Sequence, residues 1–170
     1  MIIIGIGSNL PSKYGDRFKN IDLAISFIQS YDIKVIKKSS FYETPSFPDH
    51  KNPKFINIVA SISTNLPPVD LVSVMLFIEE KLERTRSKKN EPRTLDIDII
   101  DYNGENMNFE YNGQNFTVPH ISLASRNFVL FPLKEIIPDW IYPKTKENIN
   151  MLINKLSEEE RNSILKIKKS

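Results

Sequence analysis

The chain has 170 residues, 40% of them hydrophobic and 26% charged, a composition that fits one globular domain, 1–170, with a single core. Lysine and arginine number 23 against 21 aspartates and glutamates. The resulting formal charge of +2 argues against strong charge-driven nucleic-acid binding but leaves small anionic ligands open. There is no cysteine, which excludes disulfides and thiolate metal sites and is compatible with a cytoplasmic protein, and no stretch approaches the apolar length of a membrane span.

Residues 2–7 read as a buried strand. The run Ile2-Ile3-Ile4 is too short for a signal peptide, and Gly5 interrupts it. Gly7-Ser8-Asn9-Leu10-Pro11 follows as a loop signal. Asp16 is a suitable N-cap for a helix that places Phe18, Ile21, Ile25 and Ile28 on one face. Residues 33–43 form a second strand. A long loop then carries Pro45, Pro48 and Pro53. The third strand, residues 54–63, alternates strictly: Ile56, Ile58, Ala60 and Ile62 face one way, and Phe55, Asn57, Val59 and Ser61 the other. Pro67 and Pro68 open a second helix with Leu71, Met75, Ile78 and Leu82 at helical spacing. A charged loop, residues 87–91, leads to a fourth strand. Beyond it, Asn103-Gly104 signals a hairpin, and Ser157-Glu158-Glu159-Glu160 is a capping box opening a short helix. The order β-α-β-β-α-β predicts an α+β, ferredoxin-like core: an antiparallel sheet with helices on one face, the other face free for ligands, and a C-terminal extension.

The fourth strand carries the chemistry. In Pro92-Arg93-Thr94-Leu95-Asp96-Ile97-Asp98-Ile99-Ile100, alternation puts Leu95, Ile97 and Ile99 on the core face and Thr94, Asp96 and Asp98 on the other. Two neighbouring carboxylates repel, and a hard cation such as Mg²⁺ would relieve that repulsion. Arg93 could hold phosphate oxygens in a bidentate fork, which makes phosphoryl transfer a plausible chemistry. For an isolated Asp-x-Asp, a solvated face with two surface acids is the better explanation, and only the surroundings of the motif weaken it. Parity then brings Phe55 and Asn57 to the same open face, an aromatic beside an amide, which suits a flat hydrogen-bonding heterocycle. Each of the two taken alone is also explained by packing or solvation.

Taken in order, Gly7-Ser8-Asn9-Leu10, Phe41-Tyr42-Glu43-Thr44-Pro45, Phe55-Ile56-Asn57, residues 92–99, Val118-Pro119-His120 and Arg126-Asn127-Phe128 resemble the 6-hydroxymethyl-7,8-dihydropterin pyrophosphokinases of folate biosynthesis. The resemblance runs from residue 2 to about residue 138. It implies an ATP-dependent enzyme that transfers pyrophosphate to the hydroxymethyl group of a reduced pterin and releases AMP. Asp96 and Asp98 would hold two Mg²⁺ ions. Phe55 and Phe128 would sandwich the pterin, and Asn57, with Thr44, Pro45 and Phe47, would read its edge, Asp96 lying close by. Arg84, Arg86, Arg93 and Arg126 would contact phosphates, with Arg84 and Arg93 catalytic. Glu79, Ile99, Thr117 and His120 match nucleotide-side positions. For Arg84 and Arg86 a cationic helix C-terminus is favoured by the helix dipole in any case, and His120 could equally be a satisfied loop histidine. His50 matches nothing and reads as solvent-facing. The expected partners are small molecules, ATP and the pterin, with no nucleic acid and no membrane, for a cytoplasmic monomer.

The chain departs from the family pattern in places. Asn90-Glu91 stand where Trp-Gly is frequent, Glu83 stands where a glycine is common, and Pro11-Ser12-Lys13-Tyr14 are extra residues in the first loop. Two rivals remain on residues alone: a two-metal nucleotidyltransferase on the same fold, and a small RNA- or metabolite-binding module. Two acids on the sheet face oppose the latter.

Overall fold

The computed structural model describes residues 1–46, 48–86 and 88–168. Its centre is an antiparallel sheet. Strand β1 (Ile2–Ser8) lies between β4 (Phe55–Ser63) and β5 (Asp96–Tyr102). β4 pairs on its other side with both β2 (Lys34–Lys38) and β3 (Phe41–Thr44). A short β8 (Leu165–Ile167) adds to β3.

The expected strand 33–43 is therefore two strands. The break falls at Ser39 and Ser40, where side chains replace the ladder. Ser39 N–H donates to Val59 O (2.9 Å), and Val59 N–H donates back to Ser39 Oγ (3.0 Å). Ser40 N–H turns away to the Glu135 carboxylate (2.9 Å).

Helices α1 (Arg17–Ser30) and α2 (Pro68–Lys81) cover one face of the sheet. Asp16 caps α1, its Oδ1 accepting from Lys19 N–H at 2.9 Å, and proline starts α2. Ile56, Ile58, Ala60, Ile62, Leu95, Ile97 and Ile99 meet Ile21, Ile25, Ile28, Leu71, Met75, Ile78 and Leu82 in one core, as the alternation and the helical spacing require.

The opposite face is not free along its whole length. Helices α3 (Asn127–Ile136) and α4 (Ile149–Asn154), with Trp140 and Tyr142, pack on Ile3, Val59 and Ile100 as a second apolar layer. The expectation of helices on one face alone is corrected here. The physical reason lies in parity: Ile3, Val59 and Ile100 occupy outward positions and are as apolar as the core positions, so that half of the outer face must be covered. The stretch around Asn57, Asp96 and Asp98 is polar and not covered by this layer.

A register shift between Ile3 and Ile4 in the β1–β5 pairing marks a bulge. It lets Ile100 and Asp101, adjacent in sequence, both serve the second layer. Asp101 is buried; its Oδ2 accepts from Trp140 Nε1 (2.9 Å) and its Oδ1 from Gly104 N–H (2.9 Å).

Asn103 and Gly104 make a turn with positive φ (56° and 73°), but the strands it joins do not pair with each other. The paired hairpin is β6 (Met107–Tyr111) with β7 (Gln114–Val118), closed by Asn112 and Gly113, also at positive φ. The capping box at Ser157 opens α5 (Glu158–Asn162) as expected.

Replacing Trp140 by Phe keeps most of the aromatic bulk but leaves a buried carboxylate oxygen of Asp101 without its donor. That should cost about 1–3 kcal/mol. Urea unfolding followed by circular dichroism checks it, and an unchanged midpoint would show that the pair carries no stability.

Candidate active site

The site begins with what β1 lacks. Its outward positions next to the carboxylates are glycines. Gly7 lies opposite Asn57 on one side and Asp96 on the other, and Gly5 lies opposite Val59 and Asp98. A Cβ on Gly7 would stand 2.5 Å from Asn57 Oδ1, and one on Gly5 would stand 3.1 Å from Ile100 Cδ1. The glycines thus sink a trough into the sheet between two walls of side chains. The resulting cleft is lined by Gly5, Gly7, Asn57, Asp96, Asp98 and Phe128.

Beyond the carboxylates the cleft opens into a basin of about 510 Å³, bordered by Arg84, Arg86, Lys88, Lys89, Arg93 and Arg126. Asp96, Asp98, His120 and Arg126 belong to both compartments. A narrow trough of only about 20 Å³ and a cationic basin suited to a polyanion therefore meet at two carboxylates.

The charges are closely interlocked. Arg84 donates to Asp96 Oδ1 (2.8 Å) and to Leu95 O (3.1 Å), and pairs with Glu79 Oε1 at 3.0 Å. Arg93 lies 3.8 Å from Asp96 Oδ2. Arg126 and His120 approach Asp98 at 4.0 and 3.9 Å. Burial alone would raise the pKa of Asp96, but Arg84 and then Arg93 hold it below its ordinary value. Asp98 has weaker cationic company. Burial, and then the Asp96 charge, push its pKa up to about 8.

Glu79 is buried under the arginines, accepts from Ile97 N–H (2.8 Å) and pairs with Arg86; burial and then Asp96 raise its pKa to about 7. Burial, and then Arg126, lower His120 to about 4, so the ring is neutral. Its Nδ1 accepts from Ser122 N–H (3.2 Å), which leaves the ring proton on Nε2, facing Asp98.

The carboxylate pair suits Mg²⁺. A neighbouring like charge raises Asp98, and a divalent cation would remove that penalty. Among the described residues no three His, Asp or Glu side chains form a ready-made metal cage. Mg²⁺ does not require one, since it takes one or two carboxylates and completes its shell with water and substrate phosphates.

Most of the expected residues converge here. Phe128, in the first turn of α3, lines the trough, with the Arg126 guanidinium 5.4 Å from its ring centroid. Phe55 stands at the mouth of β4 with the Arg93 guanidinium 5.1 Å from its centroid. Each arginine therefore lies over one aromatic ring and near one aspartate. Asn57 is buried and its Nδ2 reaches Thr44 Oγ1 at 3.4 Å. Pro45 follows Thr44, half-buried, and Phe47 lies outside the described residues.

Ile99 and Thr117 line neither compartment. The Ile99 side chain points into the core beneath the sheet, so it cannot contact a ligand in the site; only its backbone could. Thr117 donates across its hairpin to Asn108 Oδ1 (2.7 Å) and lines neither compartment. His50 is exposed, as expected.

Sequence reasoning missed the trough glycines and the clamp below them. Two glycines at alternate positions, 5 and 7, in a strand whose other residues before Ser8 are isoleucine were the available signal. Asn9 is 1% exposed; its Oδ1 accepts from Arg93 N–H (2.7 Å) and its Nδ2 donates to Pro53 O (3.1 Å), while Arg93 O accepts from Asn9 and Leu10 N–H. Asn20, fully buried, donates to Leu10 O (2.9 Å) and Thr94 O (3.2 Å).

Comparison with known proteins gives this geometry its context. The family model described as 7,8-dihydro-6-hydroxymethylpterin-pyrophosphokinase (HPPK) matches residues 3–138. The chain belongs to the HPPK family. The 2-amino-4-hydroxy-6-hydroxymethyldihydropteridine pyrophosphokinase of Synechocystis is 34% identical over 155 residues, 91% of this chain and 75% of that protein. Its namesake in Bacillus subtilis is 37% identical over 134 residues, 78% of this chain and 75% of the relative. Folic acid synthesis protein fol1 of Schizosaccharomyces pombe is 32% identical over 154 residues, 90% of this chain, and the chain spans only 20% of its length. Among solved structures, wild-type Plasmodium falciparum HPPK-DHPS superposes with a TM-score of 0.73 at 16% identity, covering 91% of this chain and 40% of that one. At that identity the likeness shows the fold. Among the described residues no helix is long and apolar enough to cross a membrane.

The raised Asp98 sets a pH dependence. A carboxyl whose folded pKa exceeds its unfolded value stabilises the fold at low pH, and that contribution is lost as pH rises through the folded pKa; Glu79 has the same sign. In a chelator, the melting temperature should fall from about pH 5 to about pH 8. Asp98→Asn should flatten that fall and melt higher than wild type at the alkaline end. A variant with the wild-type slope would locate the titration elsewhere.

Proposed function

We propose that this chain carries out the reaction of its family, transferring the pyrophosphoryl group of ATP to 6-hydroxymethyl-7,8-dihydropterin with release of AMP. Pyrophosphoryl transfer in folate biosynthesis is the HPPK activity, and the chain is a pyrophosphokinase by family. The observation that carries the residue-level reading is the meeting of a flat trough and a cationic basin at Asp96 and Asp98.

In this reading the pterin lies in the trough between Phe55 and Phe128, over Gly5 and Gly7, with Asn57 and Thr44 at its edge, Pro45 and Phe47 beyond, and Asp96 beside its hydroxymethyl arm. The triphosphate lies in the basin. Asp96 and Asp98 would hold two Mg²⁺ ions, which when bound would neutralise phosphate charge as Lewis acids. Arg84, Arg86, Arg93 and Arg126 supply fixed donors to the phosphate oxygens, so charge developing on the transferred group meets groups that need not reorganise. Arg93 and Arg126, now over the aromatic rings, must give up those faces when the ring of the substrate enters.

His120 serves as a neutral Nε2–H donor on the nucleotide side. It offers no free lone pair as a base, because Nδ1 is occupied by Ser122 N–H. The hydroxyl oxygen attacks the β-phosphorus, its proton passing to water, while the bond from that phosphorus to the α–β bridging oxygen breaks and AMP leaves with that oxygen. Holding both partners at one pair of carboxylates supplies the orientation such a step needs. Glu79 acts beneath the site, fixing Arg84 and Arg86, and Thr117 supports the hairpin that borders the nucleotide.

We infer further that the core is the ferredoxin-like arrangement. The antiparallel order β5-β1-β4 with β2 and β3 beyond, and α1 and α2 on one face, supports this, with the segment after α3 as an extension. A single-domain, monomeric, cytoplasmic enzyme with small-molecule partners is the accompanying reading, supported by the near-balanced charge and the lack of cysteine.

With MgATP and the reduced pterin, the nucleotide product should be AMP and the other product a pterin diphosphate. Chromatography of the spent nucleotide decides between that and ADP, and ADP formed only with pterin present would refute β-phosphorus attack. Phe128→Ala should weaken pterin binding by about 0.5–1.5 kcal/mol beyond the lost contact area, with a smaller effect on ATP. Calorimetry showing equal losses for both ligands would remove the stacking role.

A further inference from the structure

Glu83 is exposed, yet it adopts the left-handed conformation, φ 70°, which side chains larger than glycine rarely take. It does so at the end of α2, where Glu83 N–H donates to Glu80 O (3.0 Å) and Arg84 N–H donates back to Glu79 O (3.1 Å). This is the double hydrogen bond of a Schellman stop, with Glu83 at the position glycine usually fills. The left-handed turn decides the direction in which the next residue leaves the helix. That residue is Arg84, which reaches Asp96, Glu79 and Leu95 O.

The Glu83 side chain has a partner 70 positions away. Its Oε1 accepts from the backbone N–H of Lys13 at 2.7 Å. Lys13 lies in a loop that is itself stiff. Ser12 and Gly15 exchange backbone hydrogen bonds (2.9 and 3.1 Å), and Ser12 Oγ donates to Asn20 Oδ1 (2.6 Å). Asn20 in turn holds Thr94 O, on the segment entering the carboxylate site. A residue in a disfavoured conformation, tied across the molecule to a rigid loop, joins the two chain segments that deliver Arg84 and Asp96.

We propose that Glu83 is a positioning residue for Arg84: its carboxylate fastens the exit of α2 to the loop 11–15 and keeps the Arg84 guanidinium in register with Asp96. This rests on the pyrophosphokinase reading above for its kinetic consequence. Glu83 touches neither compartment, and its effect passes through Arg84.

The test uses Glu83→Gly and Glu83→Gln. Glycine relieves the left-handed backbone and removes the strut, so stability and activity should move in opposite directions. The melting temperature is expected to hold or rise by about 2–4 °C, while kcat falls on the order of tenfold and the KM for pterin stays put. Glutamine keeps an acceptor at the same place and should retain activity to within about twofold. Hydrogen exchange at the Lys13 amide, which donates to the Glu83 carboxylate, should quicken in the glycine variant only.

Unchanged kcat in Glu83→Gly, or a joint loss of activity and melting temperature, would overturn the proposal. If wild type forms no AMP, the pyrophosphokinase reading fails instead, and the exchange rates alone decide the strut: unaltered exchange in Glu83→Gly sinks it.

Discussion

The repulsion between Asp96 and Asp98 is the constraint around which the rest of the molecule is arranged. A strand must place alternate residues on one face, and here that face carries two acids. In water this would cost little. At the floor of a concave site, with the second layer of helices closing one side, burial and then that repulsion raise Asp98 to about 8. The chain answers asymmetrically. Arg84 and Arg93 concentrate on Asp96 and keep it ionised, while Asp98 has only distant neighbours. One acid is thus held charged and the other left hungry for a cation, which is the state a substrate-delivered metal can exploit.

Cations placed so close to one another also need support, and the support is mostly backbone and amide. Glu79 is buried and ties two guanidiniums from below while accepting from the β5 backbone. Asn9 holds both the entry to β4 and the entry to β5, and Asn20 reaches the same region from α1. The loop after β1 therefore works as a hub to which the separate approaches to the site are bonded. Neutral amides suit such a hub because they offer donor and acceptor together. They can also be fully buried without the cost that an unpaired charge would carry.

Much of this was legible from residues alone, because it depended on local periodicity. The parity of β4 and β5, the cap at Asp16 and the helical stripe of α2 all obey fixed geometric periods, and the carboxylate face followed from them. What was illegible depended on long-range pairing. Nothing local distinguishes Asn9 as a clamp from Asn9 as a loop residue. The Ser39–Ser40 break is visible only once Glu135 is seen to receive Ser40 N–H, 95 positions away. The free outer face was overestimated for the same reason. Ile3, Val59 and Ile100 reveal their need for cover only when the sheet order brings them side by side. Ile99 illustrates the converse: its inward parity was readable from the start, and it overrides any direct side-chain role in the site.

The stretch beyond about residue 140, which carried little sequence signal, is tied into the active face through helix α3. Asn127 sits between Arg126 and Phe128, and its Nδ2 donates to Glu160 O (2.7 Å) and Ser163 Oγ (3.1 Å). At the far end of α3, Glu135 accepts from Tyr42 Oη (2.6 Å) and pairs with Lys166 of β8. Helix α3 is thereby pinned at both ends, to the C-terminal segment and to β3, whose last residue, Thr44, receives Asn57. An aromatic wall is useful only if it stands at a fixed distance from its opposite number. Pinning α3 to the strand that holds Asn57 through Thr44 sets that distance between Phe128 and the β4 wall, so the width of the cleft depends on residues outside its lining.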